Sequence, residues 1–131
     1  DTLDIDITYP SLGNIKAQGQ ITMDSPTQFK FDATTKGEND FHGRLTGTLQ
    51  RLPSAEEADE ELKRQGVRGT LAAQLLPGTW AVTMTNEDGQ TSQGQMHFQP
   101  RSPYTMDIVA QGTISDGRPI VGYGKATVKT P

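Results

Sequence analysis

Residues 79–98 read TWAVTMTNEDGQTSQGQMHF, and their spacing decides the fold class. Trp80, Val82 and Met84 alternate with Ala81, Thr83 and Thr85, Asn86-Glu87-Asp88-Gly89 interrupts, and Met96 and Phe98 follow. A period of two sends successive side chains to opposite faces of a strand, so one face can be buried while the other stays wet. Asp88-Gly89 supplies the positive φ angles that a tight hairpin needs. The stretch therefore reads as a β-hairpin with one apolar face.

The same period runs outward in both directions. Towards the N-terminus, Leu3, Ile5, Ile7 and Tyr9 alternate with Thr2, Asp4, Asp6 and Thr8 until Pro10, which cannot donate to a ladder, closes the segment. Ile15, Ala17, Ile21 and Met23 form the next face, Asp24-Ser25-Pro26 a turn, and Phe29, Phe31 and Ala33 a third strand before the polar loop 36–40. Phe41, Leu45 and Leu49 then share a face with Gly43 and Gly47. Val67, Leu71, Ala73 and Leu75 are read as one more strand. Beyond the hairpin come Tyr104, Met106, Ile108, Ala110 and Ile114, a turn at Asp116-Gly117, and a last strand through Val121, Tyr123, Ala126 and Val128. The count is about nine, give or take one.

One helix is expected at 54–65. Ser54-x-x-Glu57 is a capping-box pattern, Ala55, Ala58 and Leu62 recur at helical spacing, and Asp59–Lys63 and Glu60–Arg64 can pair one turn apart. Its apolar stripe is thin, which marks a short surface helix ended by Gly66. The fold class that results is all-β, an antiparallel sandwich or a curled barrel. The glycines at 43, 47, 112, 122 and 124 suit strand bending and favour curled sheets. A length of 131 residues fits a single β domain spanning 1–131, either a mature form or a fragment of a longer chain.

There is an internal echo. Gly19-Gln20, Ser25-Pro26 and Phe29-x-Phe31-x-Ala33 are matched in order by Gly94-Gln95, Ser102-Pro103 and Met106-x-Ile108-x-Ala110. It is what a duplicated strand unit would leave, although two hairpins with similar turns would also look alike.

Composition narrows the function. With 12 Lys and Arg against 16 Asp and Glu, the net charge of -4 argues against a surface that tracks phosphates, so no nucleic acid is expected. No apolar run approaches the roughly 20 residues of a membrane-spanning helix. The absence of cysteine excludes disulfides, thiolate nucleophiles and Cys-rich zinc sites. His42 and His97 fall on polar sides of their strands, with no nucleophile-elbow motif nearby. Met96-His97, with Met84 or Met106, could offer soft ligands to copper, but Met96 alternates with Phe98 as a core residue does. No Asp-rich calcium loop and no phosphate-binding glycine loop occurs. The chain is thus read as non-enzymatic, without cofactor or metal.

Gly78-Thr79-Trp80 matches, in three residues, the Gly-x-Trp that lipocalin-like barrels carry at their first strand. It falls past the middle of this chain, and Pro77-Gly78 before a core Trp is equally an ordinary turn-to-strand junction.

Two functional expectations follow. The leading one is a binding or assembly module of a bacterial cell envelope, secreted assembly or virion, periplasmic or extracellular, joining a protein partner or its own copies through strand edges or loops. The alternative is a small β-barrel carrier of a lipid or other hydrophobic ligand, with the helix lidding one end and Trp80, Tyr104 and Tyr123 as candidate binding residues.

Overall fold

The computed structural model describes residues 2–38, 42–64 and 70–128. Strands form wherever alternation is regular: β1 (Thr2–Tyr9), β2 (Ile15–Ser25), β3 (Gln28–Lys36), β4 (His42–Arg51), β5 (Gly78–Asn86), β6 (Thr91–Ser102), β7 (Thr105–Ile114) and β8 (Pro119–Val128). Each pairs antiparallel with the next, and β8 returns to β1, so the ring closes. The curled-barrel reading holds and the sandwich does not. Closure pairs every strand on both sides, which removes the free edges of an open sheet. On the outer wall Asp4 and Asp6 accept hydrogen bonds from the Gln20 and Gln18 side-chain amides at 3.4 and 3.2 Å.

The strand expected around residues 67–75 is instead partly helix. Leu71–Leu75 forms α2, and the Thr70 hydroxyl caps it by accepting from the Ala73 N–H at 3.3 Å. Ala72 and Ala73 are both buried, a burial of consecutive residues that a strand on a sheet surface cannot give. Val67, Gln65 and Gly66 lie outside the described residues, as does Phe41. The 54–65 helix appears as α1 (Glu56–Lys63), preceded by a 3-10 turn at Pro53–Ala55. That turn makes Ala55 the capping residue, so the Ser54 capping box does not form. Nor does Asp59 pair with Lys63. Lys63 bonds Glu60 and Arg64 bonds Glu61, whereas Asp59 turns inward to Arg51.

The echo in the sequence is a two-fold relation between halves β1–β4 and β5–β8. One constant shift carries Leu3, Ile5 and Ile7 onto Trp80, Val82 and Met84, and Arg51, Leu49 and Gly47 onto Val128, Ala126 and Gly124. The pairings Leu3↔Val128, Ile5↔Ala126 and Ile7↔Gly124 accordingly recur as Trp80↔Arg51, Val82↔Leu49 and Met84↔Gly47. The Arg51 N–H donates to Thr27 O at 2.9 Å, and its counterpart Val128 N–H to Tyr104 O at 2.9 Å. Symmetry slips in one place: Leu3 pairs with Ile21, but Trp80 pairs with Met96 rather than Phe98.

Inward side chains differ in size along the axis. Leu3, Phe29, Leu49, Trp80, Phe98 and Met106 fill the end where α1 and α2 sit, all fully buried. At the other end the inward positions hold Ala17, Ala33, Gly43, Ser92, Ala110, Gly112 and Gly122. Glycine also allows the walls to approach: a Cβ at Gly94 would stand 2.0 Å from Gln111 O, and one at Gly124 1.9 Å from Asp6 O. Such contacts bend the strands sharply enough to close the ring.

Candidate functional site: a cavity at the open end of the barrel

The helical end is plugged. The Trp80 indole N–H donates to Leu76 O at 2.8 Å, and its ring meets Phe29 edge-on at 5.0 Å between centroids. Arg51 lies 4.0 Å over the Trp80 ring, and its guanidinium donates to Asp59 Oδ2 at 2.9 Å, to Pro77 O at 3.2 Å, and to Leu75 O. The other Asp59 oxygen accepts from the Thr79 N–H at 3.0 Å. Gly78 has φ of 122°, and a side chain there would run into the Asp59 carboxyl at 2.3 Å. Helix α1 is therefore held against the barrel by a carboxylate with every contact satisfied, consistent with the rule that buried charges are paired.

The opposite end opens into a cavity of about 550 Å³. Its wall is mostly apolar, formed by Val82, Met84, Met96, Ala110, Ile114 and Ile120, with Leu12 from the 3-10 turn Pro10–Leu12 and Leu45 on the near side. Space is left where Ser92, Ala110 and Gly112 take inward positions in place of Phe or Trp. Two hydroxyls on the wall are nearly buried: Tyr9, 6% exposed, at the end of β1, and Thr35, 9% exposed, near the end of β3. Neither side chain has a hydrogen-bond partner among the described residues. Every buried side-chain polar atom sealed from solvent does have one. The two hydroxyls must then touch open space, and both residues line the cavity. Burial pushes the Tyr9 phenol well above its ordinary range, so it stays a neutral O–H donor.

Both cations at the mouth are already matched. Arg44 pairs with Asp32 at 2.6 Å and Arg118 with Asp116 at 2.7 Å. The Arg44 hydrogen bond pulls the Asp32 carboxyl below the usual range, and the Arg118 backbone N–H, then its side chain, does the same for Asp116. Asn86 fixes the β5–β6 turn by accepting from the N–H groups of Asp88 and Gln90 at 3.0 and 2.9 Å.

None of the three binding candidates read from the sequence, Trp80, Tyr104 and Tyr123, borders this cavity. Trp80 sits in the plugged end, Tyr104 in the β6–β7 turn at that same end, and Tyr123 on the outer wall of β8 opposite Val109. Tyr123 and Val121 face outward because Gly122, Gly124, Ala126 and Val128 take the inner positions. The helix does lid one end, but the end away from the mouth. His42 is exposed on β4, and His97 bonds the Thr79 hydroxyl at 2.8 Å on the outside of β6. The histidines share no cleft, and Met96 points inward while His97 points outward, so the two cannot converge on an ion. The available signal for Thr35 was a hydroxyl continuing the apolar face Phe29-Phe31-Ala33; for Tyr9 it was an aromatic with a polar tip at the strand end.

No protein-family model matches the chain, and no curated protein does either. Solved structures do. EF1p2_mFAP2b bound to DFHBI is 14% identical, with 98% of this chain and 91% of that one covered at a TM-score of 0.56. A redesigned β-barrel, mFAP1, bound to DFHBI is 17% identical over 96% and 91%, with a TM-score of 0.53. A de novo designed fluorescence-activating β-barrel is 15% identical over 98% and 91%, at 0.52. The likeness covers nearly the whole chain and is one of fold.

Proposed function

We propose that this chain is a non-enzymatic binding protein that carries a small, largely apolar molecule in the open-end cavity. The observation that carries the reading is the cavity itself: about 550 Å³, apolar in its wall, open at one end and backed by a fully packed plug. Pockets of a few hundred Å³ with few polar groups are the ordinary form of small-molecule sites. Similar barrels bound to DFHBI support the reading at the level of fold. The assembly reading loses one of its two routes, strand edges, since a closed ring leaves no edge to join, and keeps only loops.

The test is titration with Nile red, a neutral apolar fluorophore, followed by emission and by native mass spectrometry. One-to-one binding that is lost in Ala110→Leu, where the added side chain occupies the cavity, supports the proposal. Binding unchanged in that variant would place the probe elsewhere and refute it.

A further inference from the structure

The proposed carrier function leaves open which apolar molecule is held, and the polar inventory of the cavity narrows it. Two nearly buried residues, Tyr9 and Thr35, line the space, and their hydroxyls, open to it, have no partner among the described residues. They stand on β1 and β3, joined across β2 by the pairings Tyr9↔Ile15 and Ala17↔Thr35, so both face the same side of the cavity. A protein interior rarely leaves hydroxyls unsatisfied, because taking one from water without replacing its hydrogen bond costs free energy. In an apolar cavity that a ligand fills, the ligand itself is the only available replacement.

From this juxtaposition, and resting on the proposed carrier function, we infer that the ligand is an uncharged apolar molecule bearing a hydrogen-bond acceptor, such as a carbonyl, which the Tyr9 hydroxyl donates to and Thr35 supports. The absence of charge in the ligand follows from the same inventory. Arg44 and Arg118, the cations lining the mouth among the described residues, are each bound to their own carboxylate, and the one other ionised residue in the lining, Asp88, is exposed in the β5–β6 turn. A carboxylate drawn inside would lose hydration with no free cation to meet it, and an ammonium would leave the exposed Asp88 carboxylate behind at the rim. A wholly hydrocarbon ligand would leave both hydroxyls stranded. A neutral acceptor satisfies the phenol, which burial keeps protonated.

Three probes of nearly one shape separate these cases: 2-acetylnaphthalene, 2-ethylnaphthalene and 2-naphthoate, titrated by calorimetry into the wild type, Tyr9→Phe and Thr35→Val. The wild type should bind the ketone roughly three- to tenfold more tightly than the hydrocarbon, the range expected of one net hydrogen bond. Naphthoate should bind most weakly. Tyr9→Phe should erase the ketone preference while leaving ethylnaphthalene affinity unchanged, a pattern a packing defect would not give. Thr35→Val should reduce the preference in part and keeps the question answerable if the tyrosine variant misfolds. Equal affinity for ketone and hydrocarbon in the wild type, or tightest binding of naphthoate, would overturn this inference while leaving the carrier reading standing. Failure of all three probes to bind would reject the cavity as a binding site, and the inference with it.

Discussion

Replacing Arg51 by Met should destabilise the barrel far more than breaking any of its surface ion pairs. Arg51 and Asp59 have side chains only 11% and 2% exposed, and they join α1 to the barrel floor. In Arg51→Met the Asp59 carboxylate keeps one donor, the Thr79 N–H, and remains inside without a counter-charge. The carbonyls of Leu75 and Pro77 also lose their donor. Leaving one member of a buried pair uncompensated costs about 3–5 kcal/mol. For a domain of this size that corresponds to a fall in Tm of roughly 12–20 °C. The assay is urea unfolding followed by Trp80 fluorescence, with Arg101→Gln as the control. Arg101 pairs with Asp107 on the surface with its own side chain 67% exposed, so its loss should cost under about 1 kcal/mol. The double variant Arg51→Met, Asp59→Leu should recover part of the loss, with the stranded Thr79 N–H setting the limit. A cost for Arg51→Met no larger than the control's would refute the reasoning and make α1 an ornament on an independently stable barrel.

Three further outcomes are expected. Burial raises the Tyr9 phenol above its ordinary value, so the folded state resists its ionisation while the unfolded state does not. Stability should be intact below about pH 10 and fall above it. In a spectrophotometric titration one of the three tyrosines should stay protonated until the chain unfolds, and Tyr9→Phe should move alkaline unfolding to higher pH. Gly124→Ala would push a Cβ to 1.9 Å from Asp6 O, backbone that cannot step aside, and should cost about 1–3 kcal/mol or more in thermal unfolding; a neutral result would mean the β1–β8 seam is loose. Asp32 has its carboxyl lowered by Arg44, so its contribution is present above the unfolded value and is lost as pH falls. With the pair's side chains 58% and 56% exposed, Asp32→Asn should alter the acid limb of a stability–pH curve only slightly, and a large change would contradict the exposure.

The fold was legible where a side chain's partner is its own strand's periodicity. Leu3-Ile5-Ile7-Tyr9 and Phe29-Phe31-Ala33 predict their strands because alternation is a local property. Closure was not legible, since nothing in β1 or β8 alone says that Ile5 will pair with Ala126. Leu71–Leu75 misled for the converse reason: a short apolar run has no decisive period, and its helix is set by the Thr70 cap and by burial of neighbouring alanines. The cavity was the least visible feature. Glycines 112 and 122 were read as bends, which they permit, yet Gly112 also borders the cavity without a side chain to fill it, and Gly122 makes room for the Tyr9 ring, 2.7 Å from where its Cβ would stand. Aromatics drew attention to Trp80, Tyr104 and Tyr123, whereas the cavity proposed as the site is bordered by Tyr9 and by small residues such as Ser92, Ala110 and Gly112.

That small lining makes a cavity variant informative about stability as well as binding. Ala110 faces inward on β7 between Met96 and Gly122 and borders the space. Ala110→Leu adds three carbons, each gaining about 0.8 kcal/mol if fully buried, so about 2.4 kcal/mol is the ceiling, and cavity-filling changes commonly reach about 0.5–2 kcal/mol. Tm should rise by several degrees as Nile red binding is lost. A chain that becomes more stable when its cavity is filled is holding that space open against its own packing, which is what retention for a ligand predicts. If Ala110→Leu were destabilising, the wall would already be packed at that point, and the open end would be a shallow mouth rather than a site.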